Sequence, residues 1–318
     1  MKILVTCPPM LGLFSEFEND FNDKNLTGIK ANVTQIMSEE ELIRELPKYD
    51  GWIIGDDPAT RRVFEAGKLG RLKAAIKWGV GVDNVDFDAC NNLGIPITNT
   101  PGVFGREVAD VALAYVLGLA RETYSIDRKI RLDNVWPKPS GISTWNKTAA
   151  LVGFGDIGKA TAKRLHACDF KINVYDPFFK HDLTLPLENY TWPKGLEDAD
   201  FIIFTCPLTD DTKHMFNEEI LSILKPGVRI VNVARGPVID ETALLKGLST
   251  GIIHSAALDV FEEEPLHSNN QLRQFDKCIF GSHNASNTVD AVRYVSRLAI
   301  DKMAHLLGTI QKSEFQRK

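Results

Sequence analysis

At 318 residues, with 44% hydrophobic and 25% charged side chains, the chain has the composition of a folded globular protein and the length of two domains rather than one. Its 37 Lys+Arg against 42 Asp+Glu leave a net charge of -5, without the basic excess that nucleic acid or an anionic membrane calls for. No run reaches the ~18 apolar residues of a membrane span, the opening "MKILVTCPPM" is too short and Pro-limited for a signal peptide, and the cysteines (Cys7, Cys90, Cys168, Cys206, Cys278) show no C-x-x-C spacing. A cytoplasmic protein with reduced, buried thiols is expected.

Along the first hundred residues, strand-like runs ("KILVT", "DGWIIG", "AAIKWG", "GIPITNT") alternate with helical patterns ("SEEELIRELPKY", "ATRRVFEAGKLGRL"). Such alternation implies a parallel sheet covered on both faces. After Pro101, "GREVADVALAYVLGLARETYSIDRKI" keeps helical spacing through Val108, Val111, Ala112, Tyr115, Val116 and Leu119, and its length predicts one long helix bridging two domains. "WPKPSGIST" then separates it from a second alternating series: strands "AALVGF", "KINVYD", "DFIIFTC", "VRIVNVA", "SAALDV" and "CIFGS", with helices "IGKATAKRLHAC", "NEEILSILK" and "ETALLKGLS". A last amphipathic helix, "TVDAVRYVSRLAIDKMAHLLGTI", precedes a tail, "QKSEFQRK", expected to fray.

Between the first strand and helix of the second series stands Gly153-x-Gly155-x-x-Gly158. In that context the three glycines serve, in order, a tight turn, close approach of the backbone to a pyrophosphate, and close packing of helix on strand, with the anion on the helix N-terminus. Asp176 ends the following strand, close to the ~20-residue spacing of a carboxylate that binds a ribose 2′-hydroxyl. A carboxylate there repels a 2′-phosphate, so NAD is expected over NADP.

Three charged or polar groups stand just past strand-like runs of the same half: Arg235 in "NVARGPVIDE", Glu264 in "LDVFEEEPL" and His283 in "FGSHNASN". In an open parallel sheet such positions converge on one crevice. Singly, each has an ordinary reading: a surface ion pair for the arginine, a solvated acidic loop for Glu262 to Glu264, and packing, metal binding or proton transfer for the histidine. The other histidines, His166, His181, His214, His254, His267 and His305, are scattered without ligand spacing, so no metal is expected.

Taken together, "KWGVGVDNVDFDACNNLGIPITNTPG", "VGFGDIGKATAKRL", "NVARGPVIDETALLKGL" and "ALDVFEEEPL" resemble the D-isomer-specific 2-hydroxyacid dehydrogenase family, in its D-3-phosphoglycerate dehydrogenase-like branch, from about Tyr49 onward. The resemblance implies an α/β protein of two Rossmann-like or flavodoxin-like domains on parallel sheets: residues 1–98 with 286–318 binding substrate, 99–285 binding NAD, and an active site in the interdomain cleft. It implies His283 as proton donor, Glu264 as its partner (chosen among the three glutamates for the following Pro265), and Arg235 as the fork that holds a substrate carboxylate. It further places Asp156 and Ile157 of the glycine loop, Cys206, Pro207 and Thr212 along the adenosine half, Val233, Ala234, Asp259 and Ala285 near the nicotinamide, with Asn284 and Ser286 beside them. Val80 and Gly81 would offer backbone N–H groups to the substrate. Cys206 also reads as a simple buried thiol, and Asn99-Thr100 as a strand-end turn. The substrate implied is a small 2-keto or 2-hydroxy acid of the phosphoglycerate, glycerate, glyoxylate or lactate type, the assembly a homodimer. A non-catalytic, NAD-sensing corepressor-like protein is the alternative.

The chain departs from the family in three places. Where the phosphoglycerate branch often has an arginine in a stretch resembling R-S-x-T, this chain has "IIGDDPATRR", so Asp57, next to Asp56, stands where a substrate phosphate would be met; Arg61 and Arg62 lie a turn further on. Asp57 also precedes Pro58 and a helix, and is expected to cap it. Ser282 precedes the histidine where proline is commoner, and no regulatory domain is expected after the last helix.

Overall fold

The computed structural model describes residues 1–180 and 184–315, the last seven without their side chains. His181 and the final three residues of the expected tail lie outside the described residues. The chain forms two compact units, Met1–Phe104 with the chain from Asn287 onward, and Gly105–Ser286.

The first unit carries strands β1 (Lys2–Val5), β2 (Thr27–Lys30), β3 (Gly51–Ile54), β4 (Ala74–Lys77) and β5 (Ile97–Asn99) in the order β2-β1-β3-β4-β5. All its pairs are parallel, Ile3 facing Gly51 and Ile53 facing Ile76. The connections hold α1 (Pro8–Gly12), α2 (Glu18–Asn22), α3 (Glu39–Glu45), α4 (Arg61–Leu69) and α5 (Phe87–Leu93). Both faces of the central strands are covered, so β3 and β4 are buried at every position, which is why β3 reads as an unbroken apolar run and β4 as one up to its closing Lys77. By contrast β2 is a half-exposed edge strand interrupted by Gly28, and its run, "TGIK", carries no strand signal.

The helix starts follow local chemistry in two places: Ser38 and Glu41 form a reciprocal capping box on α3, and Thr60 caps α4 by accepting from the Val63 amide. That second cap corrects the expectation for Asp57. Its side chain is fully buried and turns inward, accepting bonds from the Thr6 hydroxyl, the Met37 amide (2.8 Å) and the Gly55 amide (3.1 Å). Asp57 therefore ties together the carboxyl ends of β1 and β3 and does not cap α4. Arg62, a turn further on, is held by Glu39 at 2.6 Å and Glu40 at 3.0 Å.

At the opposite end of the sheet, Asp50 accepts from the Lys2 amide at 2.8 Å and from the Arg71 guanidinium at 3.0 Å. Burial works against its charge, yet the amide and the guanidinium outweigh it and hold the carboxyl below its usual range. A depressed folded-state value contributes stability that is present above the unfolded value and lost as pH falls through the folded one. Asp50→Asn is thus expected to lower unfolding free energy by about 1–2 kcal/mol near neutral pH. Denaturant titrations should show that difference shrinking as pH falls below the carboxylate range; a constant difference would count against the charge.

The second unit begins with α6 (Gly105–Arg121) and α7 (Thr123–Leu132). The single long helix expected here is broken: Glu122 adopts the left-handed conformation, φ 55°. Tertiary contacts hold the break, because the Glu122 carboxylate is drawn in beside His254 at 3.6 Å and Lys277 at 3.8 Å. Burial, then the charges of Arg229 and Lys277, push the His254 ring down to about 4, so the ring beside Glu122 is uncharged at neutral pH. Nor does this segment bridge two domains, since α6 and α7 both belong to the second unit.

Its sheet contains β6 (Thr148–Val152), β7 (Lys171–Tyr175), β8 (Leu187–Asn189), β9 (Phe201–Phe204), β10 (Val228–Asn232), β11 (Ile253–Leu258) and β12 (Ile279–Phe280), ordered β12-β11-β10-β9-β6-β7-β8 and parallel throughout. Helix α8 (Asp156–His166) follows β6, and α9 (Glu218–Ile223) and α10 (Glu241–Thr250) flank β10. On one face Ile220, Leu221, Leu244 and Leu248 pack with Val152, Ile202, Phe204, Ile230 and Leu258, while α6 and α8 pack against each other. Each fully buried side chain of that size stabilises by roughly 1.5–3 kcal/mol, so the sheet is a rigid base for loops at its carboxyl end. The chain then returns to the first unit as α11 (Val289–Phe315), whose helix runs through most of the tail expected to fray.

Candidate active site

In the second unit the strand order reverses between β6 and β9, where open parallel sheets form their ligand crevice. The turn from β6 into α8 lies there. Gly153 has φ 92°, and a Cβ on it would stand 2.7 Å from the backbone of Cys206. At Gly158 a Cβ would meet the Gly153 carbonyl oxygen at 2.2 Å. Both glycines are demanded by the fold itself. Gly155 is different: a Cβ there would meet nothing within 4 Å, although the residue sits immediately before the first turn of α8. That open space beside helix N–H groups fits a pyrophosphate.

The Asp176 carboxylate, at the end of β7, accepts from the amides of Phe154 (2.6 Å) and Phe178 (2.7 Å). The glycine loop and the ribose-binding candidate are therefore locked to each other, and this set fits a dinucleotide with an unphosphorylated ribose. Asp156 is exposed at the start of α8 with its carboxylate toward Gly105, and Ile157 is half-buried. Beyond β9, Thr205 donates to the carbonyls of Val152 and Gly153, and Thr212 accepts from the Thr209 amide and donates to the Pro207 carbonyl, closing the turn. Cys206 is buried, and burial pushes its thiol up to about 12, so it stays protonated while its backbone abuts the glycine loop. The buried-thiol reading of Cys206 is what the structure shows.

Gly155→Ala separates fold from binding. The variant is expected to unfold like the parent, because its methyl meets no protein atom. Its dissociation constant for NADH, followed by fluorescence, should rise about tenfold or more as the backbone is kept away from the pyrophosphate. Unchanged affinity would exclude this loop as the cofactor cradle.

The segments that carry Arg235, Glu264 and His283 past β10, β11 and β12 are joined by a closed ring of contacts, which Arg235 enters through its backbone while its guanidinium donates to the Ala234 carbonyl at 2.8 Å. Asn232 donates to the Arg235 carbonyl at 2.9 Å and accepts from the Ala234 amide at 3.0 Å. Next to the arginine, Gly236 lies so close to Phe261 that a Cβ would stand 1.8 Å from its carbonyl oxygen. The Phe261 amide donates to Glu264 Oε1 at 3.0 Å, and Glu264 Oε2 lies 2.8 Å from His283 Nδ1. The His283 amide donates to the Asp259 carbonyl at 2.7 Å, and the Asp259 amide donates to the Asn232 carbonyl at 2.9 Å, which completes the ring.

His283 and Glu264 side chains are 28% and 30% exposed, shielded yet reachable. Glu264 accepts at Nδ1, so Nε2 is the nitrogen that can exchange a proton with a ligand. His283 itself holds φ 54°, a left-handed conformation that costs about 1 kcal/mol and persists because its neighbours are pinned. Asp259, only 3% exposed, pins them by accepting from the amides of Asn284 (3.2 Å) and Ala285 (2.9 Å). Val233, Ala234 and Ala285 are buried alongside, and Ser286 is half-buried.

Sequence reasoning passed over Asn232 and Tyr115 in this half, and the pair His214–Glu262 at 2.6 Å. A polar residue ending a buried strand was the available signal for Asn232. In the first unit, Val80 and Gly81 follow β4 on a loop that Asn99 and Thr100 hold: Asn99 donates to the Val80 carbonyl at 3.0 Å and Thr100 accepts from the Gly79 amide at 2.7 Å. Asn99-Thr100 is thus a structural strand-end turn. At the end of β3, Asp56 is paired at 3.0 Å with Lys77, whose side chain is only 4% exposed. Among the described residues, no His, Cys, Asp and Glu cluster suits a metal ion, and no helix is long and apolar enough to cross a membrane.

Comparison with known proteins points to one family. Residues 113–285 match the family model described as the D-isomer specific 2-hydroxyacid dehydrogenase, NAD binding domain. The chain is 36% identical to a glyoxylate reductase of Thermofilum pendens, over 85% of this chain and 82% of that protein. It is 34% identical to a hydroxypyruvate reductase of Thermotoga maritima, over 91% and 97%. A D-3-phosphoglycerate dehydrogenase of Archaeoglobus fulgidus is 32% identical over 99% of this chain but 61% of its own length. Among solved structures, the TT0316 protein of Thermus thermophilus superposes with a TM-score of 0.85 at 28% identity, covering 97% of each chain.

Proposed function

Because the chain belongs to the D-isomer-specific 2-hydroxyacid dehydrogenase family, we propose that it reduces a small, unphosphorylated 2-keto acid of the glyoxylate or hydroxypyruvate type, and oxidises the matching D-2-hydroxy acid in reverse. It is an NAD-dependent oxidoreductase, and its second unit is the family's NAD-binding domain. The observation that carries the proposal is the 2.8 Å pair of His283 and Glu264, set in one ring of contacts with Arg235 at the carboxyl end of the sheet that bears the glycine loop.

The chemistry that bound NADH supplies is hydride donation to the keto carbon. Charge then grows on the keto oxygen, and His283 Nε2 delivers the proton that quenches it. Glu264 keeps the imidazole oriented and favours its charged form. The Arg235 guanidinium engages the substrate carboxylate and polarises the ketone, so the two ends of the substrate are fixed by one planar group. In our reading Val80 and Gly81 add backbone N–H groups to that carboxylate, residues 1–98 with 286–318 form the substrate-binding domain, and residues 99–285 form the NAD-binding domain.

Two observations favour an unphosphorylated acid. Asp57 is buried and its carboxylate is taken up by three protein donors, while Asp56 pairs with Lys77 at the end of β3 and Arg62 pairs with Glu39 and Glu40, so two carboxylates stand where the phosphoglycerate branch would bring an arginine to a phosphate. Two relatives covered over most of their length, the Thermofilum pendens and Thermotoga maritima proteins, are named for glyoxylate and hydroxypyruvate. A homodimer in the cytoplasm completes the proposal, supported by exposed Tyr124, Leu132 and Trp136 in and just after α7.

The test follows NADH absorbance with hydroxypyruvate, glyoxylate, pyruvate and 3-phosphohydroxypyruvate. Highest kcat/KM on hydroxypyruvate or glyoxylate is expected. Preference for the phosphorylated acid would overturn the substrate assignment, and tight NADH binding with no turnover on any acid would favour a sensor.

A further inference from the structure

Asp259 is placed by its backbone as part of the ring that carries His283, yet its carboxylate also reaches a residue outside that ring. Tyr115, in the middle of α6, is 7% exposed and bonds the Asp259 side chain through its hydroxyl. The two groups close around the turn from β12: a Cβ on Gly281 would stand 2.1 Å from Asp259 Oδ1 and 2.5 Å from the Tyr115 hydroxyl oxygen. A buried phenol needs a hydrogen-bond partner, and here the partner is the carboxylate that holds the amides of Asn284 and Ala285.

We infer that Tyr115 is a positioning residue for His283, acting through Asp259. Burial, and after it the negative charge of Asp259, hold the Tyr115 phenol well above the usual tyrosine range, so the hydroxyl keeps its proton and remains a donor. With that donor in place, the Asp259 carboxylate is fixed from the side of α6 while it fixes the backbone of residues 284 and 285. His283 can then keep its left-handed backbone with Nδ1 at 2.8 Å from Glu264. The inference rests on the proposed role of His283 in proton transfer, but the brace itself does not.

Tyr115→Phe removes only the hydroxyl and keeps the packed ring. Hydrogen exchange of the purified full chain, read by mass spectrometry, is expected to quicken about tenfold in the peptide spanning 281–286, with β9 and β10 unchanged. In the same variant kcat for keto-acid reduction should fall about tenfold while KM for NADH stays as in the parent. Gly281→Ala, which forces the same junction open from the other side, should reproduce both effects.

Unaltered exchange at 281–286 in Tyr115→Phe would overturn the brace. Faster exchange with unchanged kcat would overturn the positioning role, since a merely structural hydroxyl behaves that way. If the parent turns over no keto acid, the functional reading fails, and exchange alone then decides the brace.

Discussion

Replacing His283 by asparagine should lower kcat for keto-acid reduction by about 10²–10⁴-fold, the usual contribution of a positioned proton donor, while NADH binding changes little. Asparagine is the informative substitution here because position 283 has φ 54°, which asparagine tolerates and a β-branched residue does not. The backbone bond from residue 283 to the Asp259 carbonyl is kept, so the ring of loops survives. Only the imidazole disappears, leaving Glu264 to find another donor. Single-turnover kinetics with pre-bound NADH isolate the chemical step from binding and release. A kcat within a few-fold of the parent would remove His283 from the reaction and with it the assignment of Glu264.

Asp57→Arg gives the second large effect, and it is the one that sequence resemblance would miss. Placing arginine at 57 looks like restoring a phosphate-binding cation of the phosphoglycerate branch. The structure instead offers a fully buried site whose donors, the Thr6 hydroxyl and the amides of Met37 and Gly55, are arranged for a carboxylate. A guanidinium there loses all three acceptor bonds, leaves buried donors unpaired and overfills the space. The expected cost is about 4 kcal/mol or more, read as a fall in Tm on the order of 10 °C or as loss of the folded first unit. No gain in kcat/KM for 3-phosphohydroxypyruvate should accompany it. A stable variant that accepts the phosphorylated acid would show that Asp57 faces the substrate after all.

The two substitutions mark where reading the chain succeeds and where it stops. The glycine loop was legible because its Gly-x-Gly-x-x-Gly spacing between a strand and a helix is local, although what excludes a side chain differs: a Cβ on Gly158 would stand 2.2 Å from the nearby Gly153 carbonyl oxygen, and one on Gly153 2.7 Å from the distant Cys206 backbone. Strands β3 and β9 were legible because a strand covered on both faces must be apolar throughout. The half-exposed edge strand β2 had no such constraint. The break at Glu122 was hidden for another reason: α6 and α7 both keep helical spacing, and what bends the chain is a carboxylate drawn toward His254 and Lys277 more than a hundred residues away in sequence.

Periodicity and short motifs sufficed for the α/β class, the dinucleotide loop with Asp176, and the trio Arg235, Glu264 and His283 as residues beyond strand ends. These are properties of local backbone geometry, which the order of residues encodes directly. Which donor a buried carboxylate meets is a different kind of fact. Asp57 looked like a helix cap and became the link between β1 and β3, and Asp259, expected near the nicotinamide, proved also to anchor the histidine turn, bonded to Tyr115 of α6. Side chains find such partners only after the strands have been laid side by side, so the assignment belongs to the tertiary structure.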